Sequence, residues 1–502
     1  MEHFNTQSRR AFLRRSAALG VAGAAAPFAN ALGAIGEAAA ATNSDYKALV
    51  CIFMYGGNDY TYTLTPYDHV SYAKYHAARQ AIAWKRDALA ATLLNPTQGL
   101  DGGRQYALAP TMGALVPMFN AGKLAPILNV GTLVEPTTKL QYEKGLVRLP
   151  PKLFSHNDQQ SFFQASSPEG APSGWGGRIG DVVQAGNGNA ALTCINMYGN
   201  AVYLSGRNAV NYVLGPAGPV PLLGNSQTVY GSSSAASALK SLMTGAHQHV
   251  MADEHARITR RAMDTYGQLS GALAGAPEER FNLFSMSNPF SSQLKMIARM
   301  ISVSQELGQK RQVFLIGMGG FDHHDSLGAY HGKMVGWVAE AMRQFYDTTV
   351  AMGVSDKVTT FTASDFGRTL TANGDGSDHG WGSMHFVAGG AVKGGRFYGA
   401  PPETGTDTEN DVGQGRLLPT TSVDQYAATL ASWFGVPASS LSTVIPNIGN
   451  YNASSIDLGF LGATASGSAS AWTGGSASGT TGESASAPIP MAGRSAVMRR
   501  GA

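Results

Sequence analysis

The chain has 502 residues, 43% of them hydrophobic, and only two cysteines, enough length to bury a sizeable core and too little sulfur for a disulfide-stapled scaffold. Charged residues make up 14% while glycine fills 62 positions, so loops and small-residue packing outweigh salt bridges. The formal charge of +3 sits in the ends, where four arginines in residues 1–41 face Glu2 and Glu37 and three in residues 463–502 face Glu483. The body is therefore near neutral, and nucleic acid is excluded as an expected partner.

Ser8-Arg9-Arg10-Ala11-Phe12-Leu13-Arg14 precedes a weakly apolar stretch and then Ala38 to Ala41, the layout of a twin-arginine export signal over residues 1–41. This predicts the twin-arginine translocase as a partner during export and a periplasmic or secreted product. That route carries folded proteins, so a metal acquired in the cytoplasm would explain its use. Pro27 and the many small residues make a poor permanent span, and nothing downstream offers about 18 consecutive apolar residues. No stable membrane span is expected. Cys51 lies in an apolar run, which favours two buried free thiols over a Cys51–Cys194 bridge.

Ala48 to Met54 reads as a fully buried strand broken by Gly56-Gly57-Asn58-Asp59. Pro110 opens a helix to Asn120, and Leu124 to Val130 is a second strand. From about 185 to 285 the rhythm is lost, which suggests an insertion or cap containing a helical run from Ala246 to Leu273. Leu294, Ile297, Met300, Ile301, Ser304 and Leu307 sit at helical spacing before a third strand at Val313 to Ile316. A long amphipathic helix follows, marked by Val335, Val338, Ala339, Met342, Phe345, Tyr346 and Val350. Val358 to Phe361 and Phe386 to Ala388 are further strands, and Val423 to Phe434 is a late helix. The alternation predicts an α/β domain over 42–462, a doubly wound, mostly parallel sheet with helices on both faces. From Ala463 onward the Ser, Gly, Ala and Thr composition predicts a disordered tail.

Five polar segments fall at strand ends, where α/β sheets place ligands. Gly56-Gly57-Asn58-Asp59 turns tightly and aims a carboxylate back over the sheet, though an ordinary Asx turn has the same letters. In Ser155-His156-Asn157-Asp158 the serine is either a helix cap or a nucleophile at a helix N-terminus, and His156 and Asp158 are ligands or turn formers. Asp322-His323-His324-Asp325 crowds four ionisable groups, which favours a metal pair of Asp322 with His324. Asp365 and Arg368 follow the fourth strand, the first as a second carboxylate and the second able to face an anion. In Asp378-His379-Gly380-Trp381-Gly382-Ser383-Met384-His385, His379 is a candidate ligand, while His385 is either supporting or a core histidine.

Together these residues suggest one or two divalent cations polarising a phosphate or sulfate ester. The histidines favour zinc or manganese, and a carboxylate-rich subset would favour calcium or magnesium. No Walker loop, dinucleotide fingerprint, Gly-x-Ser-x-Gly elbow or paired CxxC supports another class.

The same segments, with Gly174-Trp175-Gly176-Gly177-Arg178, Gly389-Gly390-Ala391-Val392-Lys393-Gly394-Gly395 and Pro419-Thr420-Thr421-Ser422-Val423-Asp424-Gln425-Tyr426, resemble an exported bacterial family, domain of unknown function 1501, from about Lys47 to Leu461. That family is distantly similar to the alkaline phosphatase and sulfatase superfamily. The resemblance implies Asp59 and Asp365 at one metal, Asp322, His324 and His379 at another, and Ser155 as nucleophile, acting on a small anionic ester or a polysaccharide. The alternative is a catalytically lapsed binding or assembly protein on the same fold, motivated by Phe366, Tyr60 and the long tail. Polysaccharide binding through tyrosine-rich loops is a third reading, resting on composition.

Overall fold

A computed structural model describes residues 46–199, 201–222 and 227–462. The expected export signal and disordered tail lie outside them. The frame is an eight-stranded sheet: β1 (Lys47–Met54), β2 (Leu124–Gly131), β3 (Cys194–Asn196), β4 (Asn211–Val213), β5 (Arg311–Met318), β6 (Val358–Ser364), β7 (Ser383–Gly389) and β8 (Thr421–Ser422), in spatial order β8-β2-β7-β6-β1-β5-β3-β4. β1 pairs in parallel with β5 and β6, β5 with β3, β3 with β4, and β2 with β8, while β7 runs antiparallel between β2 and β6. The doubly wound α/β expectation holds.

All eight residues of β1 are buried because both faces of the sheet are covered. Ala48, Val50, Ile52 and Met54 enter one core, and Leu49, Cys51 and Phe53 the other. The first core is closed by α6 (Pro289–Ser302) and α7 (Leu327–Ala351), the second by α3 (Trp175–Val183) and α8 (Val423–Phe434). α8 begins at a capping box of Ser422 and Gln425 and ends on Gly435 in the left-handed conformation, so the sequence dictates both ends locally. Four further helices complete the frame: α1 (His69–Arg79), α2 (His156–Ala165), and the pair α4 (Ser233–Thr244) and α5 (Val250–Ala274). Cys51 and Cys194 are both free and buried.

Two expectations need correction. The segment Pro110–Asn120 is a 3-10 turn to Leu115 followed by a short α-helix from Val116, since Pro117 removes a backbone donor at the junction. The stretch 185–285 is not wholly an insertion, because β3 and β4 extend the main sheet from within it. Short strands bounded by Gly and Pro leave too little periodicity to read.

Candidate metal centre

β1 is flanked by β5 and β6, so the loops leaving all three strands meet over one sheet edge, and the antiparallel β7 starts from that edge. Asp322 follows β5, Asp365 follows β6 and His379 precedes β7. His156 opens α2, whose first residues fold over the same edge. Close backbone approach depends on glycine. A Cβ on Gly56 would stand 2.4 Å from the Asp322 nitrogen, and one on Gly57 2.6 Å from the Phe366 ring, at φ values of 120° and 97° that disfavour other residues.

Asp322 is the hub. Its Oδ2 lies 3.3 Å from His156 Nε2, and its Oδ1 lies 3.2 Å from Nε2 of both His324 and His379. The two latter nitrogens face each other at 2.9 Å. Each imidazole is held from behind through Nδ1, by the Asp365 carboxylate at 2.7 Å for His156, by the Phe154 carbonyl at 2.7 Å for His379, and by Asp378 at 3.3 Å for His324. A carbonyl only accepts, so His379 Nδ1 carries a proton, and the ring turns its Nε2 toward Asp322. Phe154 reaches this position with φ at 71°, a left-handed backbone rarely adopted by a bulky residue.

Electrostatics follow from this packing. Contacts with Asp322 and Asp365 raise the His156 pKa to about 9 against an opposing effect of burial. Burial works against charge on Asp322, but hydrogen bonds from His156, His379 and Arg368 outweigh it and hold the carboxyl well below the usual range. Burial pushes Asp365 up, partly offset by His156.

These residues fit a divalent cation. His156, Asp322 and His379 offer donor atoms within 4.8 Å of one another. A tetrahedral ion with nitrogen ligands at about 2.0 Å keeps its donors about 3.3 Å apart, close to the separations of 2.9 to 3.3 Å found here. Oxygen acceptors behind each imidazole are the orienting partners such ligands use.

The structure gathers His156, Asp322, His324, Asp365 and His379, and keeps Asp59 and His385 apart. Asp59 is wholly buried and bound by Arg79, with Nη1 at 2.8 Å from Oδ2 and Nη2 at 3.0 Å from Oδ1, while Ser377 and the Tyr62 nitrogen also donate to it. Its carboxylate is committed to the core, so the expectation of Asp59 beside Asp365 at one metal is corrected. His385 is a core histidine, 3.2 Å from Thr362 Oγ1 and packed between Phe163 and Tyr426. Arg368 is a supporting residue whose anion is the Asp322 carboxylate. It is fully buried, fastened to Ser377 and Gly56, and donates to Asp322 at 2.8 Å from behind. Ser155 stands at the rim, its hydroxyl donating to Asp158 Oδ2 at 3.2 Å.

The sequence did not point to four contributors. Asp378 was visible beside His379, but the Phe154 carbonyl had no signal. Lys152 Nζ lies 3.5 Å from Asp158, and Arg416 covers the Phe154 ring at 5.1 Å while donating to the His379 carbonyl. These two cations flank the Ser155–His156 turn. Phe366 packs against His156 and His379 with ring centres at 4.8 and 4.7 Å, so an apolar ring borders the cluster.

A family described as a protein of unknown function, DUF1501, matches residues 46–437, most of the chain. The chain belongs to the DUF1501 family. No curated protein matches this DUF1501 chain. Among solved structures it is similar to the lipoteichoic acid synthase LtaP from Listeria monocytogenes, at 8% identity over 79% of this chain and 74% of that one, with a TM-score of 0.30. It is also similar to Ps i-CgsB in complex with k-i-k-neocarrahexaose, at 12% identity over 81% and 77%, with a TM-score of 0.33. A third, from Bacteroides thetaiotaomicron and its metabolism of multiple glycosaminoglycans, shares 10% identity over 78% and 74%, with a TM-score of 0.29.

Proposed function

We propose that this DUF1501 protein is an exported hydrolase of phosphate or sulfate esters that depends on one divalent metal. The observation that carries the reading is Asp322 shared by three imidazoles, each tethered through Nδ1 and turned toward it by Nε2. His156, Asp322, His324 and His379 would hold the ion, with Asp365, Asp378 and the Phe154 carbonyl orienting them. Three nitrogens and one carboxylate suit zinc or manganese better than calcium or magnesium. Bound there, the ion would polarise the ester and offset charge developing on its oxygens.

The chain's own groups supply the rest. Ser155, next to His156, is the proposed nucleophile, and Asp158 accepts its hydrogen bond and is placed to take its proton. Attack by Oγ would form a serine ester as the bond to the leaving alcohol breaks, and water would then release phosphate or sulfate. Lys152 and Arg416 bring positive charge to that turn and would attract the anion. Commitment of Asp59 to Arg79 supports one metal in place of two. Passage through the twin-arginine translocase to the periplasm or beyond is part of the same proposal.

The test is elemental analysis of the exported protein together with turnover of aryl phosphate and aryl sulfate. One zinc or manganese per chain and turnover lost in Asp322→Asn and His324→Ala are expected. A folded protein that holds no stoichiometric metal and gains no turnover from added cations would instead be a lapsed binding or assembly protein.

A further inference from the structure

The helical pair α4 and α5, joined by residues 245–249, takes no part in the metal centre. Around its turn Leu242 is 68% exposed, Val250 75% and Met251 70%. None of the buried cores includes these side chains, and Val250 and Met251 open α5 while Leu242 lies in the last turn of α4. Behind them comes positive charge. Lys240 precedes Leu242 on α4, and Arg257, Arg260 and Arg261 are exposed on α5. At about 1.5 Å of rise per residue, these arginines lie roughly 9 to 15 Å behind Met251 along the helix. Two of the neighbouring acids are engaged internally, while Asp264 is exposed one turn beyond Arg260 and Arg261. Glu254 pairs with Arg257 at 3.0 Å, and Asp253 accepts from the His247 nitrogen at 3.2 Å. Arg260 also donates to the Thr244 carbonyl, which ties the two helices together at that depth.

We propose that this turn docks on an anionic lipid bilayer, with Leu242, Val250 and Met251 entering the headgroup boundary and Lys240, Arg260 and Arg261 meeting lipid phosphates. Interfacial elements bury apolar side chains to a depth of about 5–10 Å, so cations slightly farther back fall at phosphate level. A second copy fits less well. Three side chains at a helix turn expose much less than the roughly 800 Å2 per partner of a stable protein interface, and like charges would face each other. Among the described residues no helix is long and apolar enough to cross a membrane, so the contact is peripheral. The inference does not depend on the hydrolase reading.

The experiment is sedimentation of the full chain with vesicles of phosphatidylglycerol mixed with phosphatidylcholine, and with phosphatidylcholine alone. Binding to the anionic vesicles is expected to exceed binding to the neutral ones by about tenfold and to fall by about tenfold in the triple variant Leu242→Ser, Val250→Ser, Met251→Ser. Arg260→Glu with Arg261→Glu should act in the same direction. The compared chains share every other segment, so a difference between them belongs to the turn. A single Met251→Trp variant should show a blue-shifted emission on anionic vesicles, a reading that survives if the triple variant fails to fold. Equal vesicle binding by wild type and both charge and apolar variants overturns the proposal. So does a dimer that the triple variant dissociates, with no vesicle binding by wild type.

Discussion

Asp365 accepts a hydrogen bond at 2.7 Å from Nδ1 of His156, which leaves the far nitrogen of that ring directed at Asp322. Asp365 therefore stands behind a proposed ligand, and its effect on a bound metal would be indirect. Asp365→Asn is expected to lower metal affinity by about 10- to 100-fold, whereas Asp322→Asn or His379→Ala removes stoichiometric metal altogether. Competition against a chelator, followed by elemental analysis, separates the two outcomes.

Asp59 and Arg79 form a fully buried, doubly bonded ion pair, and neither belongs to the metal cluster. Removing one partner strands the other charge in the core. Asp59→Asn is expected to lower stability by about 3–5 kcal/mol in urea titration while the refolded protein keeps its metal. Loss of metal without loss of stability would return Asp59 to the ligand set.

Two buried aspartates should respond to pH with opposite signs. Burial opposes charge on Asp59, but Arg79 and the surrounding donors outweigh it and lower the pKa from 3.8 to about 2. Its stabilisation is present above the unfolded value and is lost as pH falls through about 2. Burial raises Asp424 from 3.8 to about 6, with Ser166, Ser422 and Arg178 offsetting part of the cost. Stability from that group is present below the unfolded value and is lost as pH rises through about 6. Asp424→Asn should therefore gain up to about 3 kcal/mol near pH 8 and nothing near pH 4, while Asp59→Asn loses most near neutrality. Thermal melts across pH check both signs.

Gly57 has φ at 97°, and an added Cβ would meet the Phe366 ring at 2.6 Å. Because Phe366 packs on both His156 and His379, the strain would reach two proposed ligands. Gly57→Ala is expected to cost more than about 1 kcal/mol and to weaken metal binding. An unchanged melting temperature with full metal content would show that the ring can move aside.

The sheet was legible in Ala48 to Met54, Leu124 to Val130 and Val358 to Phe361 because strands buried on both faces are apolar at every position. α8 was legible at both ends because its caps are local. Asp322, His324, Asp365 and His379 were legible as chemistry because they follow or precede such strands. Phe154, Lys152 and Arg416 were not, since a carbonyl's direction and a cation's neighbour carry no letter of their own. The division is sharpest at the two carboxylates after β1 and β6. By itself the sequence placed Asp59 and Asp365 each just after a buried apolar strand, because a strand's run of apolar residues and the glycines of its turn are local properties. Only the tertiary structure decided that Asp59 is neutralised by Arg79 in the core while Asp365 tethers His156, because a carboxylate's role depends on which charge lies within about 3 Å, and those partners come from distant parts of the chain.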